Sequence, residues 1–325
     1  MNENYPSTLL QTRVRTLRWE SDGVMSVELV PADAAHLPHF SPGAHVDLHL
    51  SNGLVRSYSL LNSTQDADRY VLGILLDPKG RGGSRHVHEQ LRCGTALAIS
   101  APRNHFALDE GEHDSLLVAG GIGITPILCM YRRLCELGRR VRIVYCARSA
   151  RQAPFLAELT ALGGDIVLHF DDEHGGRPFD LERLLAEQPK DIHAYCCGPS
   201  AMISAFEAAC ASHGIGNAHV ERFAAPSTIA ASNAPGGSYT VYLKRSDRTV
   251  EVPTGQSLLD ALLAADIRCD HSCREGVCGA CETGVLDGQV EHRDFLLSDA
   301  EKAASKTMLI CVSTAKDGGP LVLDL

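Results

Sequence analysis

Four cysteines near the end of this 325-residue chain constrain its fold more than any other feature. Cys273, Cys278 and Cys281 are spaced C-x4-C-x2-C, and Cys311 follows after 29 intervening residues. This is the plant-type spacing of a [2Fe–2S] centre held by four thiolates. Gly276, Gly279 and Ala280 stand between the ligands, and such small side chains let a loop wrap closely with its N–H groups aimed at sulfur. Structural zinc is the alternative, but zinc sites usually pair cysteines in two C-x2–4-C knuckles, and here the fourth is single and remote. Buried thiols without metal are the third reading. Cys269 makes a C-x3-C step to Cys273 that fits no such spacing and is read as structural.

The first twenty residues hold Arg13, Arg15 and Arg18 with no apolar stretch after them, and no run of 18 apolar residues occurs. Neither a membrane span nor a secretory signal is expected. The twelve cysteines are therefore expected in a reducing cytoplasm, as ligands, reactive thiols or small core residues rather than disulfides. A net charge of −10, from 30 basic and 40 acidic residues without a long basic run, argues against a nucleic-acid partner. With 44% hydrophobic and 22% charged residues the chain is globular, and its length exceeds one hydrophobic core.

Three textures succeed one another. Residues 24–31, 45–50, 56–62, 70–77 and 95–101 read as short strands, punctuated by turns such as Ser51-Asn52-Gly53 and interrupted by one helix over 84–91. That pattern predicts an antiparallel β-barrel domain over 1–107. Strands at 116–119, 141–146, 166–170, 193–197 and 219–223 then alternate with helices at 125–137, 153–162, 181–187 and 201–213. Such alternation predicts a doubly wound α/β domain over 108–223. Residues 224–237 are small and uncharged and read as a linker. An α+β domain over 238–325 opens with strands at 239–243 and 249–252 and a helix at 257–264, and surrounds the cysteine loop. It carries a net charge of −5, from 9 basic and 14 acidic residues.

Gly120-Gly121-Ile122-Gly123-Ile124-Thr125-Pro126 follows a strand and opens a helix, which lets backbone N–H groups and the helix N-terminus meet a phosphate. Pro126 stands where the dinucleotide fingerprint has its third glycine, so an ordinary strand-to-helix turn is the competing reading. Tyr195-Cys196-Cys197-Gly198-Pro199 ends a later strand in the same way. In a doubly wound sheet both turns fall at the carboxyl ends of strands, where ligands bind. In the barrel, Arg56-Ser57-Tyr58-Ser59 offers a phosphate partner, a ring face and a hydroxyl, against the plainer reading of barrel packing. Gly80-Arg81-Gly82-Gly83-Ser84 leads into a helix and is a second phosphate cradle. His45, Asp47 and His49 alternate along one strand, but among 15 histidines such triplets arise by chance and no metal is assigned to them.

In this order, Arg56-x-Tyr58-Ser59, GRGGS, GGIGITP, YCCGP and the spaced cysteines resemble the phthalate dioxygenase reductase family over essentially the whole chain. That family includes the vanillate demethylase reductases. The resemblance implies an FMN-binding β-barrel, an NADH-binding domain of the ferredoxin reductase type and a plant-type [2Fe–2S] ferredoxin domain. It also implies a monomer that passes electrons to a terminal Rieske-type non-haem iron oxygenase or demethylase. By resemblance, Arg56, Ser57, Tyr58, Ser59, Gly73, Arg81, Gly82, Gly83, Ser84 and Phe223 belong to FMN. Gly120, Gly121, Gly123, Thr125, Pro126, Arg148, Cys197, Gly198 and Pro199 belong to NAD. Ser59, near the flavin N5, and Cys197, beside the nicotinamide, take the catalytic positions, and Cys273, Cys278, Cys281 and Cys311 hold the cluster. Leu75 and Leu76 depart from relatives, which often carry basic residues there. At the end of the second α/β strand, an acidic residue would favour NADH. This chain has Arg148, with Arg151 three residues on, so the preference for NADH rests on the resemblance. A reductase serving a non-Rieske hydroxylase, or a redox sensor, would be the alternative function.

The purified protein should be reddish-brown with two irons and one FMN per chain, measured by metal, sulfide and flavin assay. Zinc without iron would contradict the cluster reading.

Overall fold

The first strand is also the longest. In this computed structural model, which describes residues 9–33, 36–226 and 237–325, β1 (Leu10–Ser21) pairs with β2 (Val24–Pro31) along most of its length and with β6 (Ala96–Ile99) on its other edge. No strand is expected at β1 from sequence. Arg13, Arg15, Arg18 and Trp19 give it a polar or exposed outer face, and two register shifts break its alternation, although Thr12 and Val14 are buried. Together with β3 (His45–His49), β4 (Val55–Ser59) and β5 (Tyr70–Leu75), these strands form an antiparallel sheet in the order β4-β3-β6-β1-β2-β5. The sheet curls toward a barrel. Beyond β4, which ends three residues short of the expected 56–62, Leu60 bridges Leu72 and the Leu61 N–H donates to the Val71 carbonyl at 3.0 Å. Helix α1 (Gly83–Gln90) lies between β5 and β6.

The same compact unit, which ends at Arg222, holds a second sheet. It comprises β7 (Ser115–Gly120), β8 (Val141–Ala147), β9 (Asp165–Phe170), β10 (His193–Cys197) and β11 (Asn217–Glu221). Helices α2 (Ile124–Glu136), α3 (Leu156–Leu162), α4 (Leu181–Ala186) and α5 (Ser200–His213) connect them. All neighbours run parallel in the order β11-β10-β7-β8-β9, and β7 is buried along its whole length, as a sheet covered on both faces requires. Strand order reverses between β7 and β10, which places the crevice where both glycine turns begin. Strand β11 sits two residues earlier than expected because its register with β10 runs from His193–Asn217 to Cys197–Glu221. Helix α3 starts at Leu156 rather than 153, since Phe155, just after Pro154, takes a left-handed φ of 59°.

The second unit begins at Phe223, and most of the expected linker lies outside the described residues. Strands β12 (Tyr239–Leu243), β13 (Arg248–Val252), β14 (Glu282–Asp287), β16 (Thr307–Leu309) and β18 (Leu321–Leu323) form a mixed sheet in the order β13-β12-β18-β14-β16. β15 (Val290–Glu291) pairs with β17 (Thr314–Ala315). Ser257 caps α6 (Leu258–Ala264) by accepting from the Asp260 N–H, and a Ser298–Glu301 capping box starts α7 (Asp299–Ala304). A core including Tyr239, Val241, Leu259, Leu262, Met308 and Leu323 is this unit's own.

At the switch point, a Cβ on Gly123 would fall 2.2 Å from the Cys197 carbonyl oxygen. Gly123→Ala should therefore lower the thermal midpoint of the first unit, by about 1–3 kcal/mol of stability or more. Gly216→Ala, with nothing within 4 Å of the added atom, serves as control and should change little. Equal midpoints for the two variants would contradict this packing.

Candidate functional site

The barrel side of the site is built on β4 and the loop before α1. Arg56 folds over that loop, with Nη2 donating to the Arg81 carbonyl at 2.9 Å and Nη1 to its neighbour Val55 at 2.7 Å. A Cβ on Gly83 would lie 2.5 Å from the Arg56 side chain, so the helix can start this close only at glycine. Gly82 precedes α1 at φ 80° with no side-chain cap, which leaves first-turn N–H groups to an anion, as a phosphate cradle requires. Ser84 Oγ accepts from the Asp77 N–H at 3.0 Å and ties the loop back to the end of β5. Ser57 donates its hydroxyl to Asp47 at 2.6 Å, and Asp47 also pairs with Arg103 at 2.6 Å. That accounts for the central member of the His45–Asp47–His49 row without a metal. Burial pushes the Tyr58 hydroxyl up to about 12, so the ring is neutral. Leu75 and Leu76 are exposed large apolar side chains.

On the other side, Gly120, Gly121 and Gly123 make a 3-10 turn into α2, with Gly121 at φ 54° and open space around it. The second turn packs directly on it: Pro199 and Met202 approach Gly120, and Gly198 lies against the Gly120 backbone. Gly120, Gly123 and Gly198 are thus required by loop-on-loop packing as well as by any phosphate. Thr125 is buried, donates to the Ile122 carbonyl at 3.1 Å, and presents its methyl group to Gly73 of β5, where an added Cβ would be 2.6 Å away. Gly73 therefore marks where barrel and nucleotide sheet meet. Pro126 is buried in the first turn of α2. Arg148 is exposed after β8, and Arg151, also exposed, pairs with Asp22 of the barrel at 3.6 Å.

Between the two sides stands a group that sequence reasoning missed. Ser59 donates to Glu221 Oε2 at 3.3 Å, and the Cys197 thiol lies 4.0 Å from the same oxygen. Glu221 is the register partner of Cys197, at the carboxyl end of β11. Burial pushes its carboxyl up to about 8, against the Ser59 hydrogen bond, so it holds a proton at neutral pH. Burial, with Glu221 adding to it, holds the Cys197 thiol well above its usual range, which makes it a neutral positioning group rather than a thiolate nucleophile. A lone acidic residue ending a parallel strand beside the switch point was the available signal. Phe223, two residues later, opens the second unit and is exposed.

In the second unit the four cysteines converge. Cys278, Cys281 and Cys311 are buried, and the Glu275 N–H donates to the Cys273 sulfur at 3.3 Å while the Cys273 N–H donates to the Cys278 sulfur at 3.4 Å. Hydrogen bonds from Cys278, Cys311 and the loop N–H groups drive the Cys273 thiol strongly down. A two-iron centre spreads its ligands over two metals, and the donor set fits it. Gly276, at φ 71°, packs against Val312 and Asp294 and turns the loop. Cys269 stays outside the set, with burial raising its thiol to about 11.

Comparison with known proteins identifies two of the domains. Residues 241–316 match the 2Fe-2S iron-sulfur cluster binding domain family, and residues 117–208 match the oxidoreductase NAD-binding domain family. The chain is 43% identical to phenoxybenzoate dioxygenase subunit beta of Ectopseudomonas oleovorans, over 96% of each chain. It is 36% identical to the solved phthalate dioxygenase reductase, a modular structure for electron transfer from pyridine nucleotides to [2Fe–2S], with a TM-score of 0.72 and 98% of both chains covered. An intact type IV self-sufficient cytochrome P450 monooxygenase matches 98% of this chain at 36% identity and a TM-score of 0.87, but the chain spans only 41% of that protein's length. Among the described residues no helix is long and apolar enough to cross a membrane. The chain belongs to the phthalate dioxygenase reductase family, as an oxidoreductase that joins an NAD-binding domain to a [2Fe–2S] ferredoxin domain.

Proposed function

We propose that this chain is the reductase component of a Rieske-type oxygenase or demethylase, taking hydride from NADH onto FMN and passing single electrons through its cluster to that partner. The observation that supports the reading best is the meeting of Ser59, Glu221 and Cys197, where the flavin-type strand touches the carboxyl ends of β10 and β11. When bound, FMN supplies the exchange between a two-electron donor and the one-electron [2Fe–2S] centre. Arg56 and the first-turn N–H groups at Gly82, Gly83 and Ser84 would hold the flavin phosphate, and Tyr58 its ring. Gly121, Thr125, Pro126, Gly198 and Pro199 would seat the dinucleotide, with Arg148 toward its ribose. Ser59 orients one edge of the site by donating to Glu221 Oε2, the Glu221 carboxyl holds a proton, and Cys197 fills the floor. Alignment of donor and acceptor governs the hydride step, so these side chains act chiefly by position. The solved P450 fusion supports a second reading, a non-Rieske haem partner, which turnover with each partner class separates.

Ending the chain near Gly237, which removes the cysteine-bearing domain, should leave NADH–ferricyanide activity and abolish turnover by the partner oxygenase. Docking on the acidic second unit should also weaken with salt. Oxygenase turnover at the full-length rate by the shortened chain would contradict the order flavin, cluster, partner.

Glu221 also predicts a pH dependence. Its folded value near 8 lies above the ordinary 4.5, so between these values the folded state binds more protons than the unfolded one. Its contribution is full below about pH 4.5 and is lost as pH rises toward 8, at about 1.4 kcal/mol for each pH unit crossed between the two values. Glu221→Gln should flatten that decline in thermal midpoint and slow flavin reduction by NADH in stopped flow. A wild-type slope retained in the variant would contradict the assignment.

A further inference from the structure

At the end of the sheet opposite the nucleotide crevice, Asp109, His113 and His193 gather around one point. His193 begins β10, pairing with Ser115 and Asn217, and Cys197 ends it, roughly 13 Å away at about 3.3 Å per residue. Asp109 and His113 lie in the connector that leads from the barrel sheet into β7, with His113 on a bend. Asp109 accepts from His113 Nε2 at 3.0 Å, and its other oxygen lies 4.0 Å from His193 Nδ1. One donor atom from each of the three residues lies within 4.8 Å of the other two. The rings of His113 and His193 stack with centroids 3.6 Å apart and planes 12° from parallel. His113 Nδ1 and His193 Nδ1 are buried and make no hydrogen bond, as is Nε2 of the adjacent His219. A buried nitrogen without a partner is unfavourable, and coordination would give His193 Nδ1 one.

We propose that Asp109, His113 and His193 form a binding site for one divalent transition ion of the zinc class, completed by water on the exposed Asp109 side. Two imidazoles and a carboxylate suit zinc, nickel or copper(II) better than the hard ions calcium and magnesium, and the absence of a thiolate separates this donor set from the cysteine loop. Parallel rings cannot both aim their lone pairs at one ion. Coordination by both therefore requires His113, which lies on a bend, to rotate its ring while His193 stays on its strand. Asp109 is anchored for this role by its N–H, which donates to the Tyr195 hydroxyl at 2.9 Å. A bound ion would pin the connector to the start of β10.

The test is equilibrium dialysis of the intact holoprotein against zinc sulfate, with iron and flavin content followed throughout. Wild type should bind one zinc per chain without losing iron, and zinc should raise its thermal midpoint. His113→Ala and Asp109→Asn should each weaken that site by roughly tenfold or more while flavin and cluster spectra and NADH–ferricyanide activity stay unchanged. X-ray absorption at the zinc edge of the one-equivalent complex should show only nitrogen and oxygen neighbours, at about 2.0–2.2 Å. Equal zinc binding by wild type and both variants, or a sulfur shell at the zinc, would overturn the proposal.

Discussion

The contact between Gly123 and the carbonyl of Cys197 is one of backbone on backbone, with no room for a single added carbon. Because of it the turns after β7 and β10 share one crevice at the point where strand order reverses. The same closeness sets Thr125 against Gly73 of the barrel and fixes the end of β10 opposite Glu221, which reaches Ser59. Barrel and nucleotide sheet therefore meet through a short series of contacts, each made possible by a missing or small side chain. A change that pushed the two turns apart by an ångström would be felt at Ser59, because close-packed interiors transmit strain.

Burial decides the chemistry of this meeting point. Glu221 and Cys197 are both held in their neutral forms, so the site lacks a thiolate nucleophile and a standing carboxylate charge at neutral pH. A proton stored at Glu221, beside a hydroxyl, suits a site that orients a hydride donor and acceptor rather than one that attacks a substrate. In the cysteine loop, by contrast, backbone N–H groups point at the sulfurs of Cys273 and Cys278, as thiolate ligands require. The two electrostatic settings occupy separate compact units.

Much of this was legible in the sequence because the chemistry needs rigid spacing. The cysteine ladder, the two turns ending buried strands and the glycine loop before α1 are local patterns. The missed features are those set by partners distant in the chain. β1 hides behind its exposed arginines and takes its shape from β2 and β6. Glu221 acquires meaning only through its register with Cys197, and Gly73 only through Thr125 and Phe155. Arg151 is available to a nucleotide phosphate on sequence grounds, but it pairs with Asp22, 129 positions earlier in the chain. Short strands such as β15 and β17, two residues each, lack the periodicity that a sequence pattern needs.

Electrons enter at the crevice and leave through the cysteine-bound centre. Mixing the oxidised holoprotein anaerobically with NADH, and freezing samples over milliseconds to seconds, follows both by flavin absorbance and iron–sulfur electron paramagnetic resonance. The account predicts that flavin absorbance falls first and that the reduced-cluster signal grows from it, with flavin-depleted protein giving no cluster signal. A cluster signal that rises before the flavin bleaches, or rises equally without flavin, would contradict it.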